Sequence, residues 1–349
     1  MHAGRLLIGA VLGACVLLPA FGIIAGLAEK PVLSISVLVT SDIHGRVHEN
    51  RMKGQIGYAR LQGYVNLLRS RGNIVYLLDA GDFITGSETV EADKGIRVAG
   101  LMRRMGYAGL TPGNHDFDYN TGQDPLYLSH VILDRLHGAG TDGFFTVCAN
   151  LTYNGNSIPG IHTEAQILHR ALAGESVPFR IAVAGVTTPY ALLTQAPEAV
   201  AGYGFGALPE GWHGSFDDEA TKRNVLALLR DSLARTQQGS DIVIVLSHIG
   251  NDPKRPSRIS GKDIAAMPDA GIDFVIDGHS HKGTDVETVN GVRYVNVRAY
   301  SRSFAEITLN RYADGRLETR LQQKTWADLG HVRPDPAVAG LIRELWPDI

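Results

Sequence analysis

Short runs of apolar and β-branched residues recur along the chain, and most of them end at a polar cluster. Such runs predict buried strands, and they lie at residues 32–40, 74–78, 107–110, 144–149, 179–186, 241–246 and 272–276. Apolar residues at helical spacing lie between them and predict helices at residues 57–69, 96–105, 126–136 and 217–237. The pattern is typical of an α/β fold, in which the residues that follow the strands meet at the carboxyl edge of the sheet.

The C-terminal part of the chain has a different pattern. Residues 292–297, 304–310 and 316–324 predict a β meander, in which Asp314-Gly315 is a strong hairpin-turn signal. A short helix is expected at residues 336–346. In the middle of the chain, the Gly-rich residues 201–214 are expected to form a surface loop that borders the functional site.

The N-terminus carries the pattern of an export signal. Arg5 precedes an uncharged run over residues 6–28, and Glu29 ends that run. The small residues of Gly26-Leu27-Ala28 suit cleavage before Glu29. We therefore predict that the body of the protein is exported to the periplasm or to the outer face of the cytoplasmic membrane.

Two further interpretations of residues 1–28 stay open. The apolar run is long enough, against the ~20 residues of a membrane-spanning helix, to remain as an uncleaved anchor that attaches the protein to a membrane. Leu12-Gly13-Ala14-Cys15 also resembles a lipoprotein cleavage box. In each case residues 1–28 are a signal peptide or membrane anchor, and residues 29–349 form the functional domain.

Composition excludes several classes of protein. The 349 residues include 33 basic and 36 acidic side chains, without a basic stripe, so a nucleic-acid polymer is not an expected partner. Cys15 and Cys148 are the two cysteines, which leaves no disulfide within the body and no Cys-rich zinc site. Cys148 is predicted to be an inert thiol on a buried strand.

Five polar segments follow predicted strands, and each offers metal-ligating groups. They are Asp42-Ile43-His44, Gly81-Asp82, Gly113-Asn114-His115-Asp116-Phe117-Asp118, Ser247-His248 and Gly278-His279-Ser280-His281. Their nitrogen and oxygen ligands suit Zn, Mn, Fe or Co better than Ca or Mg. We therefore expect the segments to converge on two divalent metal ions.

The spacing within the segments indicates how the ions could be shared. Asp42 and His44 lie two residues apart and point to the same side of an extended segment, and His279 and His281 have the same spacing. Asp82 has no second candidate ligand in its own segment and could bridge both ions with its two oxygens. Two ions about 3.5–4 Å apart can clamp the attacking and leaving oxygens of an in-line displacement and can lower the pKa of a bound water.

His115 is expected to act on the substrate rather than to bind metal. Phosphate-ester hydrolysis is a reaction that such a pair of ions suits. His115 is adjacent to Asn114 and cannot easily reach the same ion, so it is better placed to stabilise charge on the phosphorus of the ester or to protonate the leaving oxygen. Asp118, three residues further on, could hold the His115 ring and keep it protonated.

These segments resemble the signature of the calcineurin-like metallophosphoesterases, and all five blocks occur in order. Residues 113–118, together with Gly57-Tyr58-Ala59-Arg60 and Cys148-Ala149-Asn150, are similar to the 5'-nucleotidase branch of that family. The resemblance covers roughly residues 32–346. It implies a four-layer α/β (α+β) sandwich of two mixed β-sheets flanked by helices.

The resemblance also implies a role for each matching residue. Asp42, His44 and His281 would bind the first ion, Asp82 would bridge, and Asn114, His248 and His279 would bind the second. His115 and Asp118 would be the catalytic pair, with Asn114 and His115 also contacting substrate. The implied activity is metal-dependent hydrolysis of small phosphate monoesters, with a 5'-nucleotide favoured, by in-line attack of a metal-bound hydroxide.

The sequence departs from that branch in two places. The branch usually has a C-terminal nucleotide-recognition domain, and this chain ends at Ile349, where the connecting helix would be. Arg298-Ala299-Tyr300-Ser301-Arg302 replaces a Gly-containing segment, and Arg298 or Arg302 could contact phosphate in compensation. Ordinary exposed charges at a strand edge are an equally good interpretation of these arginines.

Alternatives of two classes therefore stay open for the function. Within the hydrolases they are a 2',3'-cyclic nucleotide phosphodiesterase, a nucleotide-sugar diphosphatase or another ester hydrolase with the same fold. The alternative of another class is a membrane-tethered, non-catalytic binding protein, against which the complete set of ligand positions argues.

Overall fold

The protein is described by a computed structural model that covers residues 29–137, 143–170, 178–207, 216–234, 236, 238–251, 254 and 257–347. The predicted leader, residues 1–28, lies outside these residues. All elements below belong to the compact unit Pro31–Ile349. Over the described ranges, no helix combines the length and the apolar character that a membrane crossing requires.

Fourteen strands are present among the described residues. They are β1 (Leu33–Thr40), β2 (Ile74–Asp79), β3 (Tyr107–Leu110), β4 (Phe145–Thr146), β5 (Thr152–Tyr153), β6 (Gln166–Arg170), β7 (Phe179–Thr187), β8 (Tyr203–Gly204), β9 (Ile242–His248), β10 (Phe274–Asp277), β11 (Glu287–Val289), β12 (Val292–Asn296), β13 (Ser303–Arg311) and β14 (Leu317–Thr325). The predicted strands are confirmed, although β4 is shorter than expected and the short strands β5, β6, β8 and β11 were not predicted.

The described helices include those predicted at 57–69, 96–105, 126–136, 217–237 and 336–346, and four short helices that were not predicted. They are α1 (Tyr58–Ser70), α2 (Glu88–Glu91), α3 (Ile96–Met105), α4 (Asp134–His137), α5 (Ala191–Thr194), α6 (Asp218–Ala234), α7 (Gly261–Ala265), α8 (Trp326–Leu329) and α9 (Pro336–Leu345), with a π-helical segment at Leu128–Leu133 before α4. Asp217 caps α6, since its Oδ1 accepts a hydrogen bond from the Ala220 amide at 2.8 Å.

Two six-stranded mixed sheets form the centre of the molecule. The first has the order β14-β13-β1-β2-β3-β4, and the second has the order β11-β12-β10-β9-β7-β6. Strands β1 to β4 run parallel, as do β7, β9, β10 and β12, and antiparallel strands complete each sheet. Because the parallel strands of a sheet end at the same edge, each sheet presents one carboxyl edge.

Three apolar layers hold the sheets and helices together. The two sheets pack face to face through β-branched side chains such as Val37, Val39, Ile244 and Ile276, all less than 1% exposed. The outer face of the first sheet packs against α1, α3 and α9, and that of the second packs against α6 and α7. This is the expected four-layer sandwich, and strands covered on both faces explain the near-continuous apolar runs in the sequence.

The predicted β meander is wrong. Strand β12 pairs with β10 in the second sheet, whereas β13 pairs with β1 and β14 in the first. The chain crosses between the sheets through Tyr300 and Ser301, whose φ angles of 65° and 57° are left-handed. Only the β13–β14 hairpin, with its turn at Asp314-Gly315, is confirmed. Strand order along the sequence does not reveal which of two sheets each strand joins.

The predicted surface loop at residues 201–214 is also wrong where the structure describes it. Tyr203 and Phe205 are buried, and their rings contact the buried ring of Phe117 at centroid distances of 5.0 and 5.2 Å. Residues 208–214, including Trp212, lie outside the described ranges. Tyr203 and Phe205 belong to the core behind the segment that carries His115.

Helices α1 and α9 give a test of this packing. Gly63 lies in the middle of α1, where an added Cβ would come within 2.0 Å of the Arg333 carbonyl oxygen. Gly340 lies in the middle of α9, where the nearest atom to an added Cβ is the Arg343 Nη2 at 3.9 Å. We expect Gly63→Ala to lower the free energy of unfolding by about 1–3 kcal/mol, because backbone must move to admit the methyl group.

Gly340→Ala is the matched control. Helix propensity alone would make either substitution stabilising by up to ~1 kcal/mol, and we expect that gain only at Gly340. Urea unfolding of both variants measures the difference. Equal stabilisation by both substitutions would contradict the close approach of α1 to the segment before α9.

Candidate metal centre

The five predicted segments lie together at the carboxyl edges of both sheets. Asp42 and His44 follow β1, Asp82 follows β2, and Asn114 follows β3 in the first sheet. His248 ends β9, and His279 and His281 follow β10 in the second sheet. The site therefore exists only when the two sheets are packed against each other.

Four side chains form the first cluster. The ligating atoms of Asp42, His44, Asp82 and His281 all lie within 4.8 Å of one another. His44 Nε2 lies 3.1 Å from His281 Nε2 and 3.7 Å from Asp82 Oδ2, and His281 Nε2 lies 3.2 Å from Asp42 Oδ1. Two carboxylates and two imidazoles at these separations match the nitrogen and oxygen donor set of a divalent transition metal.

A second cluster shares Asp82 with the first. Asp82, His248 and His279 also place their ligating atoms within 4.8 Å, and His248 Nε2 lies 3.0 Å from Asp82 Oδ2. Asn114 is 1% exposed, and the next amide, that of His115, donates to Asp82 Oδ1 at 2.8 Å. The shared carboxylate is the arrangement expected of two neighbouring ions.

Hydrogen bonds to backbone carbonyls fix the ring orientation of two histidines. The Nδ1 of His44 lies 3.0 Å from the Thr85 oxygen, and that of His248 lies 2.6 Å from the Ala80 oxygen. A carbonyl can only accept, so each Nδ1 carries the hydrogen. In the neutral ring this leaves Nε2 with a free lone pair that faces the cluster, as in the second-shell contacts of metal-binding histidines.

Buried atoms without partners support the fit to metal ions. Among the described residues, Asp82 Oδ2, Asn114 Oδ1 and His248 Nε2 are buried and make no hydrogen bond. Leaving such polar atoms unsatisfied costs about 1–3 kcal/mol each. All three belong to the predicted ligand set, and a cation between them would satisfy them together.

The charges of the cluster also suit a cation. Burial acts to raise the pKa of Asp82, but the neighbouring His248 outweighs it and holds the pKa below its ordinary value. Burial acts to lower the pKa of His248, but Asp82 and Asp42 raise it to about 10, so this ring would release its proton on binding a metal ion between the carboxylates. Burial lowers the pKa of His279 to about 4, so this ring is neutral and able to donate its lone pair near neutral pH.

His115 and Asp118 form a pair beside the clusters. The Nδ1 of His115 lies 2.8 Å from Asp118 Oδ2, and this hydrogen bond raises the pKa of His115 to about 9. Gln195 Nε2 donates to Asp118 Oδ1, and Asn114 Nδ2 donates to Gln195 Oε1 at 3.2 Å. Gln195 was not predicted from the sequence, because no motif connects it to the segment at 113–118.

A cavity of about 730 Å³ opens beside these residues. His44, His115, His281 and Asp118 line it, together with Arg46, Lys53, Gln55, Thr85, Gly86, Glu91, Tyr119, Tyr300 and Arg302. Arg302 therefore lies in the cavity wall, whereas Arg298 is exposed outside that wall, with its side chain against Gly283. The volume is in the usual range for a small-molecule site.

Comparisons with known proteins decide the family. Residues 35–283 match the family model described as calcineurin-like phosphoesterase. The chain belongs to the calcineurin-like phosphoesterase family. The matched region contains all five segments of the metal centre.

Curated relatives of this chain include two proteins named 5'-nucleotidase. The chain is 27% identical over 265 residues to that of Diplobatis ommata, which covers 73% of this chain and 39% of the relative. It is 25% identical over 309 residues to that of Vibrio vulnificus, which covers 83% of this chain and 48% of the relative. The chain thus spans less than half of these relatives.

Solved structures support the fold. The calcineurin-like phosphoesterase YfkN from Bacillus subtilis superposes with a TM-score of 0.66 at 19% identity, over 90% of this chain and 97% of that one. A putative 5'-nucleotidase from Staphylococcus aureus gives a TM-score of 0.65 at 18% identity, over 89% of this chain and 58% of that one.

Left-handed backbone places most of the candidate metal ligands. Asp42, His44, Asp82, His279 and His281 have φ angles between 48° and 67°. This conformation is uncommon for residues other than glycine, although Asp and His adopt it more readily than most. Clustering of such residues at one edge is typical of functional sites.

Two further buried carboxylates hold these loops. Asp116 accepts hydrogen bonds from the amides of Asp82, Phe83 and Gly113 at 2.8–3.0 Å and so supports the turn that carries His115. Asp277 accepts from the amides of Ile249 and Gly250, as well as from side chains. Asp277 was not predicted, although it directly precedes Gly278-His279 at a strand end.

Gly278 and Tyr300 complete the surroundings of the second sheet's ligands. A Cβ at Gly278 would come within 2.0 Å of Ser41 Oγ and 2.6 Å of Asp42 Oδ2, so glycine is required where the two sheets meet. The Tyr300 hydroxyl lies 3.1 Å from His281 Nδ1, and the Tyr300 amide donates to the Asp42 carbonyl at 2.7 Å. Sequence patterns gave no signal for this tyrosine.

Cys148 is buried, and burial raises the pKa of its thiol to about 12. Such a thiol is a poor nucleophile at neutral pH. The predicted burial of Cys148 is confirmed, although the residue follows β4 instead of lying on the strand.

Metal binding can be tested through the shared carboxylate. We expect Mn²⁺ or Zn²⁺ to raise the melting temperature of the protein by mass action on the folded state. Asp82→Asn removes the shared charge while keeping the side-chain shape. Its metal affinity is expected to fall by more than about 100-fold, because even changes beyond the ligands cost 10–100-fold. Titration calorimetry and elemental analysis measure affinity and stoichiometry.

Asp118→Asn is the control for this experiment. Asp118 contacts His115 and Gln195 and belongs to neither cluster, so this variant should bind metal as the unmodified protein does. Two ions bound with unchanged affinity by Asp82→Asn would show that Asp82 is not shared.

Proposed function

We propose that the protein is a dinuclear metal-dependent phosphoesterase that hydrolyses small phosphate monoesters. The observation that carries this proposal is the pair of clusters that share Asp82, with His115 beside them at the wall of one cavity. The family of the chain and the names of its curated relatives support the same reaction class.

Each ion would be held by residues from both sheets. Asp42, His44 and His281 would hold the first, Asn114, His248 and His279 would hold the second, and Asp82 would contact both. Two divalent ions held in this way supply Lewis acidity to the phosphoryl group and lower the pKa of a coordinated water. The donor set suits Zn, Mn, Fe or Co.

His115 would act on the phosphoryl group or on the leaving oxygen. Asp118 fixes the ring through Nδ1, which leaves Nε2 as the ring nitrogen available to a ligand in the cavity. From Nε2, the ring can donate a hydrogen bond or a proton to an oxygen that gains negative charge during P–O cleavage. Gln195 holds the other oxygen of Asp118 and so limits rotation of the pair.

A 5'-nucleotide is the favoured substrate, because relatives over most of this chain are named 5'-nucleotidase. Since the chain spans less than half of each of these relatives, substrate choice is best tested directly. A panel would include AMP, a 2',3'-cyclic nucleotide, a nucleotide sugar and a chromogenic phosphate monoester. If only the 2',3'-cyclic nucleotide or only the nucleotide sugar were hydrolysed, that class would replace the 5'-nucleotide as the favoured substrate.

The role of His115 gives a sharp test. We expect His115→Ala to retain both metal ions and to lose about 10²–10⁴-fold in kcat, the usual contribution of an acid–base residue. Turnover of the chromogenic ester is measured with and without Mn²⁺ and Zn²⁺, alongside metal content. The control is His130→Ala, since His130 is exposed and lies outside the clusters and the cavity wall.

Two results would count against the proposal. Full activity of His115→Ala would remove His115 from the reaction. Absence of metal-dependent turnover by the unmodified protein on the whole panel, with its metal content verified, would favour a non-catalytic binding protein.

We also propose that the domain acts outside the cytoplasm. The support is the uncharged run over residues 6–28, preceded by Arg5. Fusion of residues 1–40 to an alkaline phosphatase that is active only after export should give activity in a bacterial host. Deletion of residues 6–28 from the fusion should abolish it.

The mass of the mature protein would separate cleavage before Glu29 from a retained anchor or a lipidated Cys15. Equal phosphatase activity of both fusions would contradict export by this segment.

A further inference from the structure

Three basic side chains line the cavity beside the candidate metal centre. Arg46 follows the ligand segment after β1, Lys53 lies in the short helical turn Arg51–Lys53, and Arg302 follows the crossing between the two sheets. All three residues are exposed. Three separate segments of the chain thus bring positive charge to the same cavity.

These basic groups have no acidic partner among the described residues. No described carboxylate lies within 4.0 Å of the charged nitrogens of Arg46, Lys53 or Arg302. Elsewhere on the surface, Arg60 pairs with Glu49 and Lys262 pairs with Glu287. The charged groups of Arg46, Lys53 and Arg302 are therefore available to bind an anionic ligand.

The acidic residues in the cavity wall are already engaged. Glu91 accepts a hydrogen bond from the Tyr119 hydroxyl at 3.1 Å, and Asp118 accepts from His115 and Gln195. Neither carboxylate is placed to neutralise the three cations. The cavity thus has a positive wall apart from the catalytic pair.

Two of the cations are held in place. The Nη2 of Arg46 donates to the Gly86 carbonyl at 3.2 Å, which leaves the remaining guanidinium donors for a ligand. The guanidinium carbon of Arg302 lies 5.5 Å from the centroid of the Tyr300 ring. A guanidinium held against neighbouring groups loses less freedom when it binds a phosphate.

We propose that this cavity binds a second phosphoryl group of the substrate, so that bisphosphorylated substrates are preferred over monophosphates. The inference rests on the proposed function, in which the first phosphoryl group lies at the metal clusters. The cavity volume of about 730 Å³ admits a ligand of nucleotide size, and the unpaired Arg46, Lys53 and Arg302 are the groups that recognise phosphate oxygens.

The test compares two substrates that differ by one phosphoryl group. AMP and adenosine 3',5'-bisphosphate share the scissile 5'-phosphate. Chromatography of the products, adenosine from AMP and adenosine 3'-monophosphate from the bisphosphate, follows its release from each. We expect the kcat/KM for the bisphosphate to exceed that for AMP by about tenfold, the order expected of charge-assisted contacts to one phosphate. Arg302→Gln and Lys53→Gln should each lower this ratio severalfold.

Arg104→Gln is the matched control. Arg104 is an exposed arginine on α3 that does not line the cavity, so its loss changes net charge equally and should leave the ratio unchanged. The comparison at two salt concentrations separates local contacts from long-range attraction, which salt screens. A decrease in the ratio for Arg302→Gln but not for Arg104→Gln supports the proposal.

Two results would overturn it. Equal kcat/KM values for AMP and the bisphosphate in the unmodified protein would remove the second phosphoryl subsite. An equal loss of kcat/KM for AMP and for the bisphosphate in Arg302→Gln would show that the basic residues attract phosphorylated ligands in general and do not bind a second phosphoryl group.

Binding separates this inference from the proposed function. Calorimetric titration of the metal-loaded protein with each nucleotide measures the affinity ratio whether or not hydrolysis occurs. A tenfold tighter bisphosphate complex that Arg302→Gln weakens would support the subsite even without turnover. Equal affinities for AMP and the bisphosphate, without hydrolysis of either, would overturn both the subsite and the proposed function.

Discussion

The backbone strain of the ligand loops is the constraint on which the rest of the structure depends. Five candidate ligands have left-handed backbone, and such a conformation costs roughly 1–2 kcal/mol for a residue with a Cβ. Together they cost on the order of 5–10 kcal/mol, comparable with the ~5–15 kcal/mol net stability of a domain. Asp116 offsets part of this cost by accepting three backbone hydrogen bonds from the loops that carry Asp82 and Asn114. The loops therefore keep their shape through buried carboxylates rather than through regular secondary structure.

The packing of the two sheets is the second requirement, because neither sheet carries a complete cluster. Asp42 and Asp82 follow strands of the first sheet, whereas His248 and His281 end or follow strands of the second. His248 Nε2 lies 3.0 Å from Asp82 Oδ2, and His281 Nε2 lies 3.2 Å from Asp42 Oδ1. The apolar layer between the two sheets sets these distances. A shift of one sheet by one residue would turn alternate side chains away and would separate the ligands. The core between the sheets is thus part of the functional site.

The sequence predicted the ligand segments because polar clusters directly after buried strands are a local pattern, and parallel strands bring such clusters to one edge. It did not predict what depends on tertiary packing. The crossing through Tyr300 decides that β12 and β13 join different sheets, and it places Arg302 rather than Arg298 in the cavity wall. Gln195 lies far along the chain from Asp118, so no spacing rule could connect them. Phe205 lies in a Gly-rich segment and yet is buried, since burial depends on contacts that composition does not encode.

Hydrogen bonding separates the buried aspartates at this edge by what their oxygens face. Both oxygens of Asp116 accept backbone amides, and both oxygens of Asp277 accept hydrogen bonds from backbone amides or neutral side chains. Asp82 differs, because its Oδ1 accepts the His115 amide while its Oδ2 faces His248 Nε2 at 3.0 Å. The oxygens of Asp42 accept from the His279 amide, and its Oδ1 also lies 3.2 Å from His281 Nε2. Asp82 and Asp42 thus each present an oxygen to a histidine of the second sheet, where a metal ion could take the place of a proton. The sequence shows Asp-rich segments after the strands, but the division between supporting and ligating aspartates follows from which groups their oxygens face in the folded protein.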